Sequence, residues 1–361
     1  MAIPTELAGA TLDIDLGAIV ANWRTLSARH PRGAVAAVVK ADAYGLGARQ
    51  VVPTLYAAGC RHFLVALPQE ALDIRPLLPG AMVAVLGGTP PGTEALFHAH
   101  GITPVLNTLA EIDAWAAHGD GQPAILHLDT GMHRLGLSPA EHATLVADPS
   151  RLAGVTIAYV MTHLIASEVA DDPLNTHQRD RFALGHVGLP KAPLSFANSS
   201  GIFLGDGWDS DLARPGAALY GVNPTPDRPN PMRRVVGLSA RVLAVRDVPP
   251  GQGVGYNATW TATRPSRIAT AAIGYADGLH RALSNRGQAF FDGGPLPLVG
   301  RVSMDLTTFD ATDHPGVKPG AWLEILGPHQ SPDDLGALAG TSGYEILTSL
   351  GRRFARRYLP A

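Results

Sequence analysis

A single cysteine, Cys60, in 361 residues leaves no partner for an intramolecular disulfide and fits a chain kept in a reducing compartment. No apolar run approaches the roughly 20 residues a membrane span requires. The N-terminus carries Glu6, Asp13 and Asp15 where a secretory leader would be apolar, so a soluble cytoplasmic protein without membrane association is expected. Charge of one sign is also missing. The formal net charge is -3, which provides no broad field for nucleic acid or an anionic surface. Lysine is scarce, with only Lys40, Lys191 and Lys318 among the 28 basic residues. No metal site is expected. What the chain does have is apolar mass: 46% hydrophobic against 16% charged residues, enough for one large domain and a second.

One of the three lysines occupies an unusual place. Val35–Gly47 reads V-A-A-V-V-K-A-D-A-Y-G-L-G. Its first five residues suit a fully buried strand, and the run ends on Lys40. A lysine there either lets its head reach solvent as the strand exits or is desolvated enough to become a nucleophilic amine.

Asp15 is placed to cap a helix whose apolar face is Ile19, Val20, Trp23 and Leu26. After the Lys40 strand, apolar runs recur at 62–66, 82–86, 102–106, 124–129, 155–162, 193–197 and 212–219, making eight. Helix-like segments lie between most of them. Thr108–Glu111 and Ser138–Glu141 read as capping boxes, the second with proline at the first helical position. Eight strands alternating with helices predict a (β/α)8 TIM-like barrel over residues 11–225. Four prolines between Asn223 and Pro231 mark a boundary. Beyond it, strands expected at 238–245, 267–273, 288–291, 296–302 and 322–325 predict a mostly β domain over 226–361. Helices are expected only at 331–338 and 344–355. In a barrel of this kind, function sits where strands end and loops begin. Lys40, Asp129 to Arg134, His163, Asn198 to Ser200 and Arg214 all fall at that one mouth. The glycines of G-Q-G-V-G-Y at 251–256 have no strand-turn-helix context, so they are read as β-turn residues rather than a nucleotide loop.

The stretch V-K-A-D-A-Y-G at 39–45 resembles the cofactor-lysine motif of the alanine racemases. So, in order, do T-G-M-H-R-L-G at 130–136, T-H-L at 162–164, A-N-S-S at 197–200, R-P-G-A-A-L-Y-G at 214–221, V-G-Y at 254–256, G-Y-A-D-G at 274–278, V-G-R-V-S-M-D at 299–305 and Y-E-I-L-T at 344–348. The resemblance implies racemisation of L- and D-alanine with pyridoxal 5'-phosphate, to supply D-alanine for peptidoglycan. Lys40 would condense with the cofactor aldehyde. Tyr44, Ser199, Tyr344 and the backbone at Gly216 and Ala217 would hold the phosphate. Arg214 would donate to the ring nitrogen, and His163 would support that arginine or its network. Arg134 would contact the cofactor's phenolic oxygen and the substrate carboxylate. Tyr256 would be the second base, with Tyr275, Arg281, Met304 and Asp305 at the substrate pocket and its entry. The family forms a homodimer in which the second domain of one subunit faces the barrel mouth of the other, and in which residues 1–15 add a strand to that second domain.

One position departs from the family. Many members carry a carbamylated lysine where this chain has His127. A neutral imidazole brings no negative charge to Arg134, so either a bound anion or other partners must orient it. Two other readings stand beside the racemase of alanine: the same chemistry on another small amino acid such as serine, and a non-catalytic pyridoxal-phosphate-binding protein. Proteins of the latter kind share the barrel but lack the second domain that here carries Tyr256, Met304 and Asp305.

Overall fold

The computed structural model describes residues 4–118 and 121–361. A parallel barrel forms from Ala34–Val35 and Ala37–Val38, then His62–Val65, Met82–Val85, Thr103–Leu106, Pro123–His127, Thr156–Met161, Leu194–Ser195 and Leu212–Ala213. The first two segments are halves of one strand. Ala36 N–H donates to Ala213 O on one side at 2.9 Å, and Val39 N–H to Leu64 O on the other at 2.8 Å, which closes the eight-stranded ring. The period of two along each strand sorts the side chains. Ala36, Val38, Leu64, Ala84, Val105, Ile125, Met161 and Leu212 pack together inside the barrel. Their neighbours Val35, Ala37, Phe63, Val65, Val83 and Val85 pack outward under the helices.

The helix signals resolve in detail. Asp15 caps Leu16–Arg29 by accepting from Ala18 N–H at 2.7 Å. Ser138 and Glu141 form the full reciprocal box. At Thr108 only half the box forms: its hydroxyl accepts from Glu111 N–H, while the Glu111 carboxylate turns to the N–H groups of Asn107 and Thr89.

The second domain is built on Val236–Val248, a 13-residue strand. It pairs antiparallel with Ala10–Asp15, Trp322–Leu326 and Ser266–Ala271. Three expectations change. The eighth barrel strand stops at Ala213, and residues 214–216 run as loop into a short turn at Ala217–Tyr220, because Pro215 cannot donate to a ladder. The last helix ends at Ser349, and Ala355–Leu359 is a strand instead, parallel to Ala10–Asp15. Its alternating burial is the period-two signal that a helical reading overlooked. Thr307–Asp310, paired with Ser266–Ala271, was not anticipated.

Leu12 lies between two partner strands with no exposed surface. Leu12→Ala should therefore cost about 2–5 kcal/mol. Leu184→Ala, at a side chain 75% exposed, should stay within about 0.5 kcal/mol. Urea unfolding midpoints of the two variants check this.

Candidate active site

The chain after Lys40 does not continue as an ordinary strand exit. Ala41, Asp42, Ala43 and Tyr44 all have φ between 53° and 55°, a left-handed turn that ends on Gly45 at φ 81°. Such backbone is costly for residues with a Cβ, and the surroundings hold it. Ala43 N–H donates to Val39 O, Gly45 N–H to Ala41 O and Gly47 N–H to Asp42 O. The Asp42 carboxylate accepts from Ala48 N–H at 2.7 Å. The Tyr44 ring packs on Tyr220, centroids 4.8 Å apart, and Tyr220 Oη donates to Val38 O. From the second domain, Arg356 donates to Gly45 O and Tyr358 to Leu46 O. The turn points Lys40 into a cavity of about 400 Å³.

The same cavity is lined by Tyr44, Arg134, His163, Ser199, Arg214, Gly216, Ala217 and Tyr344, all expected from the sequence. Arg214 is buried, with Nη1 donating to Ser195 Oγ and Nη2 to Thr162 O, each at 2.5 Å. The carbonyl it meets is therefore that of the residue before His163. Burial brings the guanidinium down to about 10, which leaves it protonated at neutral pH. Its charge, after burial itself, holds His163 down at about 3 and His127 at about 4. Lys40 is lowered as well, first by burial and then by Arg134, with Glu70 opposing.

His127 is buried, and its Nδ1 lies 2.8 Å from Asn107 Oδ1. Asn107 spends its Nδ2 on Val105 O, so Oδ1 faces the ring and the Nδ1 proton is assigned to the histidine. The imidazole is thus neutral. Arg134 is carried instead by a loop folded onto Asp129, whose Oδ1 accepts from the N–H groups of Gly131, Met132 and His133 at 2.9, 2.9 and 3.1 Å.

The donor set suits the cofactor that the resemblance implies. Ser199 Oγ accepts from Gly216 N–H at 3.0 Å and Ala218 N–H at 3.3 Å. A Cβ at Gly216 would fall 2.2 Å from Tyr44 Oη, so only glycine lets the hydroxyl and backbone meet there. Burial pushes Tyr44 up to about 12 and, together with Glu168, raises Tyr344, keeping both hydroxyls protonated. Tyr344 donates to Glu168. The same cavity also holds the Lys40 amine and the buried Arg214 guanidinium. Among the described residues no group of three or more His, Cys, Asp or Glu could hold a metal ion.

Tyr256, Tyr275, Arg281, Met304 and Asp305 do not line this cavity. They lie on the second domain. Tyr275 N–H donates to Ser303 O and Ala276 N–H to Met304 O, bringing the two loops side by side. Arg353 bridges Asp277 and Asp305 at 2.7 Å each. Tyr256 is 67% exposed, Met304 54% and Tyr275 44%. Sequence reasoning missed Glu70, Asn107, Ser195 and Thr162, whose roles arise from contacts across the barrel that no local pattern encodes.

Because His127 and His163 take up protons less readily when folded than unfolded, the stability gained by keeping them neutral is present above about pH 6.5 and lost as pH falls toward 4 and 3. Replacing both with glutamine should flatten that fall. Urea midpoints of wild type and the double variant, compared from pH 7 to pH 4.5, read the difference.

The family model for the N-terminal domain of alanine racemase matches residues 14–224, and that for the C-terminal domain matches residues 235–358. The alanine racemase of Acidiphilium cryptum is 55% identical over 96% of this chain and 98% of its own length. That of Rhodospirillum rubrum is 51% identical over 98% and 96%. The crystal structure of alanine racemase from Bartonella henselae with covalently bound pyridoxal phosphate superposes with a TM-score of 0.94 at 44% identity, covering 98% of this chain and all of that one. The biosynthetic alanine racemase of Pseudomonas aeruginosa gives 0.90 at 34%. Matched along nearly its whole length in sequence and in fold, this chain belongs to the alanine racemase family.

Proposed function

We propose that Lys40 and Tyr256 are the two bases with which this enzyme racemises alanine, and that they come from different subunits of a cytoplasmic homodimer. Pyridoxal 5'-phosphate, when bound, supplies an aldehyde to engage the substrate amine and a conjugated ring to spread the charge left by the departing α-proton. The protein's residues do the rest. Tyr44, Ser199 and Tyr344 would hold the phosphate. Arg214 stays protonated and can only donate, so it would hydrogen-bond the ring nitrogen without giving it a proton. Arg134 faces the substrate carboxylate. Lys40 Nζ, lowered by burial and by Arg134, takes or returns a proton at the α-carbon from one face. Tyr256 Oη serves the opposite face, with Met304 and Asp305 lining the pocket and Tyr275 and Arg281 at its entry. No helix among the described residues is long and apolar enough to cross a membrane. D-Alanine made this way would feed peptidoglycan.

The observation that carries the reading is the cavity itself. Lys40, Arg134, Arg214 and the three phosphate-binding hydroxyls converge on it, while Tyr256 stands exposed outside it. A lone subunit therefore supplies one base, and a second copy supplies the other.

Two measurements follow. Borohydride reduction of the purified protein should fix the cofactor to Lys40; peptide mapping to Lys191 or Lys318 would overturn the lysine's role. Lys40→Ala and Tyr256→Phe should each be nearly inactive, yet mixing the two after subunit exchange should restore activity. Each mixed dimer then has one site with both bases and one with neither. No restoration, in a mixture shown to contain mixed dimers, would place both bases in the same subunit.

A further inference from the structure

The helix Pro68–Ile74 begins behind the Lys40 turn, and Glu70 in its first turn does two things at once. Its Oε2 accepts from the N–H groups of Ala66 at 2.8 Å and Leu67 at 3.0 Å, which caps its own helix. Its Oε1 accepts from Ala41 N–H at 2.5 Å, the first amide of the left-handed turn. One carboxylate therefore spans from the end of the second barrel strand to the residue next to Lys40. The turn has φ near 55° at four successive non-glycine residues, so its shape depends on such ties. The other acid on the turn, Asp42, is committed to Ala48 N–H.

We propose that Glu70 is a positioning residue for Lys40: it fixes the turn that aims the amine and sets a negative charge behind it. This rests on the reading of Lys40 as a base. The charges that act on the amine are Arg134, from the loop after the fifth strand, and Glu70, from behind; Tyr44, His163, Glu168 and Arg214 share the cavity with it. Burial and then Arg134 pull the amine's pKa down, His163 is neutral, and Glu70 pushes it up. An amine that must alternately hold and release a proton at neutral pH needs both influences.

Glutamine separates the two jobs. Its amide has one oxygen, and the two bonds to Ala66 and Leu67 outweigh the one to Ala41. In Glu70→Gln the oxygen keeps the helix cap, and the NH2 group meets the Ala41 N–H, donor against donor. The cap stays, the tie to the lysine turn goes, and so does the charge.

The test labels amines on the full-length protein, freed of cofactor, across a pH series, and resolves the products by peptide mass spectrometry. With only three lysines, Lys191 and Lys318 serve as internal references. In wild type the Lys40 midpoint should lie below both, and Glu70→Gln should move it further down. The holoenzyme of the same variant should lose about tenfold or more in kcat, with KM changed less and the thermal midpoint nearly kept. Ile74→Ala, which empties a buried position of the same helix, should lower the thermal midpoint without moving the Lys40 labelling curve. A labelling midpoint and kcat in Glu70→Gln equal to wild type would reduce Glu70 to a helix cap. Lys40→Ala distinguishes the other failure, since retained activity there would remove the lysine's role whatever Glu70 does.

Discussion

Four consecutive residues, Ala41 to Tyr44, are held in left-handed backbone directly after Lys40, and the rest of the site depends on that turn. Each left-handed residue with a Cβ costs roughly 1–2 kcal/mol. The cost is offset locally by small side chains at 41 and 43, by Gly45 and Gly47, and by hydrogen bonds that the turn makes with itself. It is offset from a distance by Glu70, by the Tyr44–Tyr220 stack, and by Arg356 and Tyr358 of the last strand. That last strand is anchored to Ala10–Asp15, which in turn pairs with the long strand of the second domain. The second domain thus helps to shape the barrel mouth of its own chain while it displays Tyr256 to the outside.

Charge at the mouth follows from one buried cation. Arg214 donates to Ser195 and the Thr162 carbonyl, neutral acceptors that satisfy two of its N–H groups and offset part of the cost of burying its charge. Burial first, and then the charge of Arg214, keep His163 and His127 neutral. Arg134 adds to this and lowers Lys40. The hydroxyls of Tyr44 and Tyr344 line the same cavity, raised first by burial and held protonated. Protonated hydroxyls and an amine in one cavity suit a phosphate-bearing aldehyde.

The barrel was legible because its strands are short apolar runs, regularly spaced, with capping residues between them. The lysine was legible because a cation at the end of V-A-A-V-V demands a reason. The left-handed turn was not, since nothing in A-D-A-Y names a positive φ as Asn-Gly would. Arg214 was found by its motif, but its partners Ser195 and Thr162 are contributed by other strands and follow only from closure of the ring. His127 was recognised as a departure; that Asn107 fixes its tautomer became visible only when two neighbouring strands paired. The strand at Ala355–Leu359 was hidden by arginines whose long stems suit either a helix or an exposed strand face.

The central claim is that two different groups exchange protons with the two faces of the substrate. Racemisation of L-alanine in deuterium oxide, stopped after a small fraction of conversion, tests it most directly. The account predicts D-alanine carrying solvent deuterium at the α-carbon, while the remaining L-alanine keeps its hydrogen, because the proton removed by Tyr256 is not the one delivered by Lys40. Early D-alanine that retains the substrate's own hydrogen would contradict it, since that outcome requires a single group to carry the proton from one face to the other.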